Sequence, residues 1–246
     1  RILAMDGVEN RYDLSPLRGC NATGEALEAT TWREFKDRIG CEIWEHYGVS
    51  EMQMVLGQGP LWPVRPGSIG KAVPGTDVAV LDDDYNELPS GEIGHFLVRA
   101  DNPGFFIGYH KDPSKTAEVV HDGWYHTGDL AWRDEDGFFW IAGRVDDCFK
   151  SRGIFISPYE IENVLRQHPA IAEACIVPLA DAEIGNRIRA VCVLKDGTPA
   201  GKAIAEDIRL NVRKRIAPYK VPHVVEFIDA LPKSPVGKVL RRSLVS

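Results

Sequence analysis

The stretch from Gly143 to Glu162 constrains the fold most, because the organisation of the chain changes there. Before it, short apolar runs alternate with Gly- and Pro-rich turns, a rhythm typical of a twisted sheet or small barrel. Within it, a helix start is predicted: Ser157 can accept from the first free amides, Pro158 suits the first helical position and Glu160 completes a capping box. We therefore expect a domain boundary between Gly143 and Asp147.

The first half of the chain is predicted to be mainly strands and turns. One helix carries Trp32, Phe35 and Ile39 on a single face, and it ends at Gly40, which tolerates the left-handed conformation of a helix cap. A strand from Cys41 to Tyr47 follows. Further strands are predicted at 76–82, 93–100 and 138–142, with a short helix after Asp112 and a hairpin turn at 134–137.

The second half alternates helices and strands over about a hundred residues, a common domain size. A helix at 158–168 places Ile161, Val164, Leu165 and His168 on one face, and a helix at 203–216 has an apolar residue at every fourth position. Strands are predicted at 174–178, 189–194 and 224–228, and a short basic helix at 239–244. The predicted fold class is α/β and α+β: an α/β layer with a small β-barrel-like part, then a compact α+β domain.

Composition excludes several classes of protein. The chain has 246 residues, of which 44% are hydrophobic and 26% charged, as in ordinary soluble proteins. No apolar run reaches the length of a membrane span and no signal peptide opens the chain, so we expect a cytoplasmic protein without a membrane span. The five cysteines lack metal-type spacing and are expected to be reduced thiols.

Charge is unevenly distributed along the chain. The net charge is -7, yet residues 209–246 carry a local balance of +7. A basic tail on an acidic body suits an anionic small ligand such as a nucleotide or coenzyme A, although a solvated helix face explains many of these charges equally well. Nucleic acid is not expected as a partner, because no basic stripe interleaved with aromatic residues is present.

Three places in the sequence carry residues that ligand chemistry would need, although each alone would also suit a surface turn. Ser50 and Glu51 follow a predicted strand, at the edge where α/β sheets bind ligands, and Glu51 is an oxygen ligand of the kind that Mg²⁺ accepts. Asp129, after Thr127-Gly128, offers a carboxylate that can accept two hydrogen bonds from a vicinal diol such as that of ribose. Lys238 follows Gly237, and a lysine on such a loop can supply the positive charge that a reaction between two anionic groups requires.

Four motifs occur in order: Tyr47-Gly48-Val49-Ser50-Glu51, Tyr125 to Leu130, Gly143 to Glu162, and Pro232 to Lys238. In order and spacing they resemble the signatures of the adenylate-forming enzymes, which include acyl-CoA synthetases, peptide-synthetase adenylation domains and luciferases. The resemblance starts near Asp13 and covers the C-terminal half of such an enzyme; the family's Ser/Thr/Gly-rich phosphate loop is absent from these residues. We therefore expect the chain alone to have little or no ligase activity.

The resemblance implies a two-step reaction that uses ATP, Mg²⁺ and coenzyme A. Residues 1–142 would end the AMP-binding domain, and residues 143–246 would form a mobile lid that pivots at Asp146. Lys238 and Glu51 would be catalytic, with Glu51 also binding the metal. The resemblance gives the remaining residues roles in binding nucleotide or coenzyme A: Tyr47, Gly48, Ser50, Asp129, Arg144, Lys150 and Gly153.

Two departures from the family pattern concern side chains near these positions. Ser50 replaces the family's Thr and keeps the hydroxyl, whereas Pro235-Val236 stand where the family commonly has Ser or Thr. The segments at 153–162 and 65–71 look most like benzoate and related aryl-CoA ligases, with medium-chain and short-chain acyl-CoA synthetases close behind. An amino-acid adenylation domain and a non-catalytic nucleotide-binding or interaction fragment remain alternatives, and the sequence leaves a homodimer open.

Overall fold

The computed structural model of the chain describes residues 2–235 and 237–245, with only the backbone of Ala4. Val236, one of the departures noted above, lies outside the described residues. The chain divides into two compact units, Arg1–Ile141 and Ala142–Ser246. Both mix helices with sheets, which confirms the predicted mixed fold class.

A four-stranded sheet with one packed helix begins the first unit. The strand order is β1-β2-β3-β4, with β1 parallel to β2 and the other pairs antiparallel. Trp32 and Phe35 of the helix are buried against the sheet, and the indole N–H of Trp32 donates to the carbonyl of Ile43 over 2.9 Å. Gly40 caps the helix at φ 80°, as predicted. The elements are β1 (Cys20–Ala22), α1 (Ala29–Ile39), β2 (Ile43–Val49), β3 (Met52–Gly57) and β4 (Lys71–Ala72).

An antiparallel sheet completes the first unit. The order is β5-β6-β8-β7, and β9 pairs with β8. Short helix α2 begins after Asp112, whose side chain accepts from the backbone N–H of Lys115 over 2.9 Å. The strands predicted at 76–82 and 93–100 are confirmed with shorter ends, whereas the strand predicted at 138–142 lies at Phe139–Arg144 and so extends further at its C-terminal end. The hairpin turn predicted at 134–137 joins β8 to β9. The elements are β5 (Val78–Leu81), β6 (Gly94–Arg99), α2 (Pro113–Glu118), β7 (Val120–His121), β8 (Trp124–Arg133) and β9 (Phe139–Arg144).

The second unit packs two helices on a three-stranded sheet. The order is β12-β13-β14, with the first pair antiparallel and the second parallel. Ile161, Leu165 and Ile208 of the helices form one core cluster with Ile176 and Ile188 of the sheet. The elements are β10 (Phe149–Ser151), β11 (Ile154–Ile156), α3 (Pro158–Arg166), β12 (Ile171–Asp181), β13 (Gly185–Leu194), α4 (Lys202–Arg215) and β14 (Val224–Phe227).

The capping box predicted at the start of α3 is wrong. The Ser157 hydroxyl donates to the carbonyl of Ala142 over 2.5 Å and makes no bond to the helix amides, and Glu160 pairs with Lys220. The reason is the close approach of Gly143: a Cβ there would lie 2.9 Å from the Ser157 oxygen. The missing side chain therefore lets the backbone before the helix compete for the hydroxyl.

The C-terminal helix predicted at 239–244 is shorter and of a different type. It is a 3-10 helix at Arg241–Leu244. Val239 bridges to Lys233, and the N–H of Leu240 donates to the carbonyl of Pro232 over 2.8 Å, so both residues belong to an extended hairpin. Across the described ranges, no helix has both the length and the apolar character needed to cross a bilayer.

Candidate functional site

Tyr47 and Asp129 are 82 residues apart in sequence and touch in the structure. The Tyr47 hydroxyl, from β2, donates to Asp129 Oδ2 over 2.5 Å. Asp129, on β8, is only 7% exposed, and its backbone N–H donates to the Thr127 hydroxyl over 3.1 Å. Burial and the Asp129 carboxylate raise the pKa of Tyr47 far above its ordinary value, so the phenol stays a neutral donor. Two predicted site residues from different sheets therefore form one polar centre in the first unit.

The turn between β2 and β3 carries Ser50 and Glu51, at a strand end as predicted. Gly48 is required just before it, because a Cβ there would meet the carbonyl oxygen of Gln53 at 2.2 Å. Ser50 is exposed, whereas Glu51 is half-buried. The Tyr109 hydroxyl donates to Glu51 Oε1 over 2.5 Å, a bond that raises the pKa of Tyr109 to about 12. The carboxylate is thus oriented by a tyrosine that sequence reasoning did not assign to the site.

Glu51 can serve as a partial magnesium ligand. In the part of the chain that the structure describes, no group of three or more His, Cys, Asp or Glu side chains could hold a metal. Mg²⁺ commonly uses one or two carboxylates together with substrate phosphates and waters. One bond from Tyr109 leaves most of the accepting capacity of the Glu51 carboxylate. The donor set therefore fits a nucleotide-bound Mg²⁺ and does not fit a metal held by protein side chains alone.

Glu45 is a further polar residue that sequence reasoning missed. It is 3% exposed, and its Oε1 accepts from the backbone N–H of Leu27 over 2.9 Å. Burial raises the pKa of Glu45 to about 7, with a smaller contribution from nearby Glu28 and an opposing one from the Leu27 bond. The alternation of β2 could have revealed it, because Glu45 shares a strand face with Ile43 and Tyr47.

The predicted hinge lies at the start of the second unit. Asp146 belongs to a 3-10 helix at Val145–Asp147, directly after Arg144. The two side chains are 48% and 69% exposed, and their closest charged atoms are 4.0 Å apart. Such an exposed pair contributes little rigidity. The Arg144–Asp146 pair therefore does little to fix the conformation of the segment. Its role as a hinge stays a prediction.

Lys150 and Gly153 lie on a two-stranded hairpin formed by β10 and β11. Lys150 is exposed on β10, and the turn has positive φ at two successive residues, 52° at Arg152 and 77° at Gly153. Two such residues are the requirement of a tight type I′ hairpin turn. A Cβ added to Gly153 would have no atom within 4 Å, so the space beside it is open.

A cavity of about 340 Å³ lies beside this hairpin. Its lining is strongly basic, with Arg152 from the turn, Arg209 and Arg213 from α4, and His223 before β14. Burial lowers the pKa of His223, and the neighbouring arginines lower it further. The cavity therefore offers guanidinium groups to an anionic ligand while its imidazole tends to stay neutral.

Lys238 stands on a hairpin at the C-terminal end of the second unit. Its backbone N–H donates to the Ser234 hydroxyl over 3.2 Å, and its carbonyl accepts from the Ser234 N–H over 2.8 Å. The side chain is exposed, and none of the described residues forms an ion pair with it. The backbone is ordered by hydrogen bonds, while the ammonium group stays available for an anionic ligand.

Two family models match the chain: the AMP-binding enzyme model over residues 1–110 and the AMP-binding enzyme C-terminal domain model over residues 160–238. The chain belongs to the adenylate-forming, AMP-binding enzyme family. These matches cover the turn of Ser50 and Glu51 in the first unit and reach Lys238 in the second.

Known CoA ligases match nearly the whole chain. It is 38% identical over 239 residues to 4-hydroxybutyrate–CoA ligase 1 of Metallosphaera sedula, covering 96% of the chain and 42% of that ligase. The structure of the anthranilate CoA ligase AuaEII with anthranoyl-AMP matches with a TM-score of 0.86 and 34% identity, over 98% of the chain and 46% of the ligase. The benzoate CoA ligase of Burkholderia xenovorans LB400 matches with a TM-score of 0.86 and 29% identity, over 100% of the chain and 48% of the ligase.

The chain spans about two fifths of the length of the curated relatives it matches. The resemblance stated from the four motifs is confirmed at the level of the family. The assignment of individual residues to steps of a reaction remains a set of proposals.

Proposed function

We propose that the full-length protein is an ATP-dependent carboxylic acid:CoA ligase. In the first step the acid carboxylate attacks the α-phosphorus of ATP, which gives an acyl-adenylate and releases pyrophosphate. In the second step the thiol of coenzyme A attacks the acyl carbon, which gives the thioester and releases AMP. The Tyr47–Asp129 contact carries this proposal, because it joins two separate motifs of the family into one polar centre.

The first unit would hold the nucleotide. Asp129 accepts from the ribose hydroxyls, and the neutral Tyr47 keeps its carboxylate in place. Ser50, exposed in the turn, donates its hydroxyl to a phosphate oxygen. Glu51, oriented by Tyr109, would bind the Mg²⁺ that accompanies ATP and neutralises part of the phosphate charge.

The second unit would supply mobile cations. Lys238 stabilises the negative charge that develops between the acid and the α-phosphate, as a positioned cation does in a transition state. Arg144 contacts the nucleotide, and Asp146 beside it is the pivot about which the unit turns between the two steps. Hinges of this kind are a few residues between rigid elements, which suits the short 3-10 helix at this position, where Asp146 is exposed.

Coenzyme A would meet the β10–β11 hairpin. The open space at Gly153 leaves room for the pantetheine arm, and Lys150 lies on the same hairpin. The arginines of the adjacent cavity suit the phosphates of the nucleotide part of coenzyme A.

The five cysteines of the chain are free thiols. Free thiols suit a reducing compartment, and we assign the protein to the cytoplasm.

A small aromatic acid or a short- to medium-chain acid is the proposed substrate. The matched proteins named above act by their names on 4-hydroxybutyrate, anthranilate and benzoate. The test supplies the full-length protein with ATP, Mg²⁺, coenzyme A and each acid of a panel that also includes amino acids. We expect acid-dependent release of pyrophosphate and AMP, with formation of a thioester.

Two outcomes of this assay would contradict the proposal. Pyrophosphate release with amino acids alone would favour an amino-acid adenylation domain, and nucleotide binding without turnover of any acid would favour a non-catalytic protein. The isolated 246-residue chain should release little or no pyrophosphate, since the phosphate loop of the family is absent from it.

A further inference from the structure

The hairpin of residues 231–235 and 237–241, the lysine hairpin, is attached to the second unit by different means at its two ends. At its start Leu231 is 5% exposed and packs in an apolar cluster with Cys175, Val177 and Val191. At its end stands Arg241, whose side chain is 20% exposed. The residues next to Lys238 on its C-terminal side, Val239 and Leu240, are exposed and add no buried attachment.

Arg241 connects three separate elements of the second unit. Its Nη1 donates to Glu162 Oε1 over 2.5 Å and also to the carbonyl of Ile176, and its Nη2 donates to Glu162 Oε2 over 3.3 Å. Its Nε lies 3.2 Å from Asp147 Oδ2, an ion pair without hydrogen-bond alignment. The guanidinium thus joins α3, β12 and the 3-10 helix of Asp147 to the end of the lysine hairpin.

Glu162 is a buried partner with little freedom to move. It is 5% exposed, and its Oε1 also accepts from the backbone N–H of Ile176 over 2.7 Å. Although burial disfavours charge on the guanidinium, hydrogen bonding and attraction by Glu162 raise the pKa of Arg241 above its ordinary value. Because the planar guanidinium of Arg241 donates to both oxygens of a fixed carboxylate, the pair fixes the orientation of the Arg241 side chain as well as its distance from Glu162.

The other polar contacts of the lysine hairpin cannot do the same. Hydrogen bonds of Ser234 with Lys238, and of Leu240 with Pro232, close the hairpin internally without attaching it to the rest of the unit. Lys233 reaches Glu173 over 2.5 Å, but both side chains are about two-fifths exposed, and such pairs contribute little. The direction of the hairpin therefore depends mainly on its two ends, the buried Leu231 and the half-buried Arg241.

We propose that Arg241 is a positioning residue for Lys238, fixing the direction of the lysine hairpin through Glu162 and Asp147. The inference rests on the proposed function of Lys238. Lys238 and Arg241 are three positions apart, a span of at most about 11 Å, so a rotation at Arg241 displaces the amino group directly. Because the described residues offer the Lys238 ammonium no ion-pair partner, its placement must come from its backbone. The link through Asp147 also ties that backbone to the segment beside the proposed hinge.

The first test replaces Arg241 in the full-length protein by Met or by Lys. With Arg241→Met we expect acid-dependent ATP–pyrophosphate exchange to fall about tenfold to a hundredfold in kcat, the range in which small misplacements of a catalytic group act. Thioester formation from supplied acyl-adenylate should change less than threefold. Arg241→Lys should recover part of the exchange rate, since one ammonium can still pair with Glu162. Arg242→Met, a change at the exposed neighbouring arginine, is the matched control and should leave both rates unchanged.

A second variant guards against simple misfolding. Arg241→Met alone leaves the buried Glu162 charge with Arg166, 3.9 Å away, in place of its hydrogen-bonded arginine, and loss of such a buried partner destabilises proteins strongly. The double change Glu162→Gln with Arg241→Met removes both charges and should restore the melting temperature toward that of the parent. The selective loss of pyrophosphate exchange should persist in it. Normal exchange in this folded double variant, or equal losses in both half-reactions, would overturn the proposal.

A double-mutant cycle with Lys238→Ala separates this inference from the proposed function. If Arg241 acts through Lys238, adding Arg241→Met to Lys238→Ala should cause no further loss of exchange. Losses that multiply, beside a strong effect of Lys238→Ala alone, would overturn the role of Arg241 and leave that of Lys238 standing. Unchanged exchange in Lys238→Ala would overturn the assignment of Lys238, and this inference with it.

Discussion

Asp129 of the first unit and Lys238 of the second are supported in opposite ways. Asp129 is buried, and its carboxylate already accepts a hydrogen bond from Tyr47. Lys238 is exposed, and only its backbone is ordered by contacts among the described residues. The Asp129 carboxylate belongs to a polar centre that is formed without a ligand, whereas the Lys238 ammonium is exposed to solvent on the lysine hairpin.

The difference indicates how each unit would meet its ligand. A preassembled carboxylate loses little side-chain freedom when a sugar binds, which favours affinity. An exposed lysine avoids the cost of burying an unpaired charge until the anionic ligand supplies a partner. We therefore expect removal of the Lys238 ammonium to affect mainly rates, and changes at the buried carboxylates of the first unit to affect mainly stability and nucleotide affinity.

The largest expected effect comes from removing the exposed ammonium group of Lys238. In the full-length protein, Lys238→Ala should lower ATP–pyrophosphate exchange by roughly a hundredfold to a thousandfold, the usual consequence of removing one transition-state donor. Thioester formation from supplied acyl-adenylate should be little changed, and rapid-quench measurement of both steps would show it. Lys233→Ala in the same hairpin, which loses only an exposed pair with Glu173, is the control. Equal losses in both steps would break the comparison.

The next effect concerns the buried carboxylate of Glu45. Because burial raises its pKa in the folded state to about 7, the folded protein holds the proton more tightly than the unfolded chain. The free energy of unfolding should therefore decrease as pH rises from about 4.5 to about 7, by ~3 kcal/mol in all. Glu45→Gln should remove this dependence.

Urea denaturation at several pH values measures the contribution of Glu45. Glu25→Gln changes an exposed carboxylate of the same unit and should keep the slope of the parent. A parent whose stability does not fall over this interval would show that Glu45 is not held in a preassembled, poorly solvated environment.

A smaller effect is expected from the turn that carries Ser50 and Glu51. Gly48→Ala places a Cβ against the carbonyl oxygen of Gln53, so the hairpin must shift, at a cost of about 2 kcal/mol in the free energy of unfolding. Thermal unfolding measures it. Gly59→Ala is the matched control, because a Cβ at Gly59 meets nothing within 4 Å. Equal melting temperatures for the two variants would mean that the turn adapts freely.

The smallest effect tests the preassembled polar centre itself. Asp129→Asn keeps the shape and one acceptor but removes the charge, so the Kd for ATP of the full-length protein should rise about tenfold. Tyr47→Phe should raise it less, since the carboxylate itself remains. Calorimetric titration with ATP measures both, and Asp101→Asn, at an exposed site of the same unit, should leave the affinity unchanged. A larger loss with Tyr47→Phe than with Asp129→Asn would reverse the assigned order.

Sequence patterns predicted most of the fold because helix faces and helix caps depend on residues that are close together in the sequence. Trp32, Phe35 and the cap at Gly40 give α1, and the spacing of Ile208 and Val212 gives α4. The β12–β13 hairpin was predicted too short, since its outer residues, such as Asp181 and Arg187, lie beyond the apolar core and carry no alternating pattern. Ser157 was misassigned because its carbonyl partner comes from Ala142, across a turn whose path the sequence does not encode locally.

The candidate site was predicted residue by residue but not as a set of contacts. The motifs named Tyr47, Glu51 and Asp129, yet only the three-dimensional structure shows which of them touch. Tyr109 and Glu45 were missed for the same reason. Tyr109 matters because it contacts Glu51, and Glu45 matters because its carboxylate is buried on a strand face. Long-range pairs of this kind have no periodic signature in one sequence.

The left-handed conformation of Arg152 implies a compromise in the β10–β11 hairpin. That conformation costs most side chains about 1 kcal/mol or more, whereas Gly and Asn tolerate it, so Gly or Asn at this position would make the turn more stable. Such a replacement would also strip one guanidinium from the basic cavity. Engineering this protein for heat tolerance at Arg152 would accordingly trade ligand charge for durability.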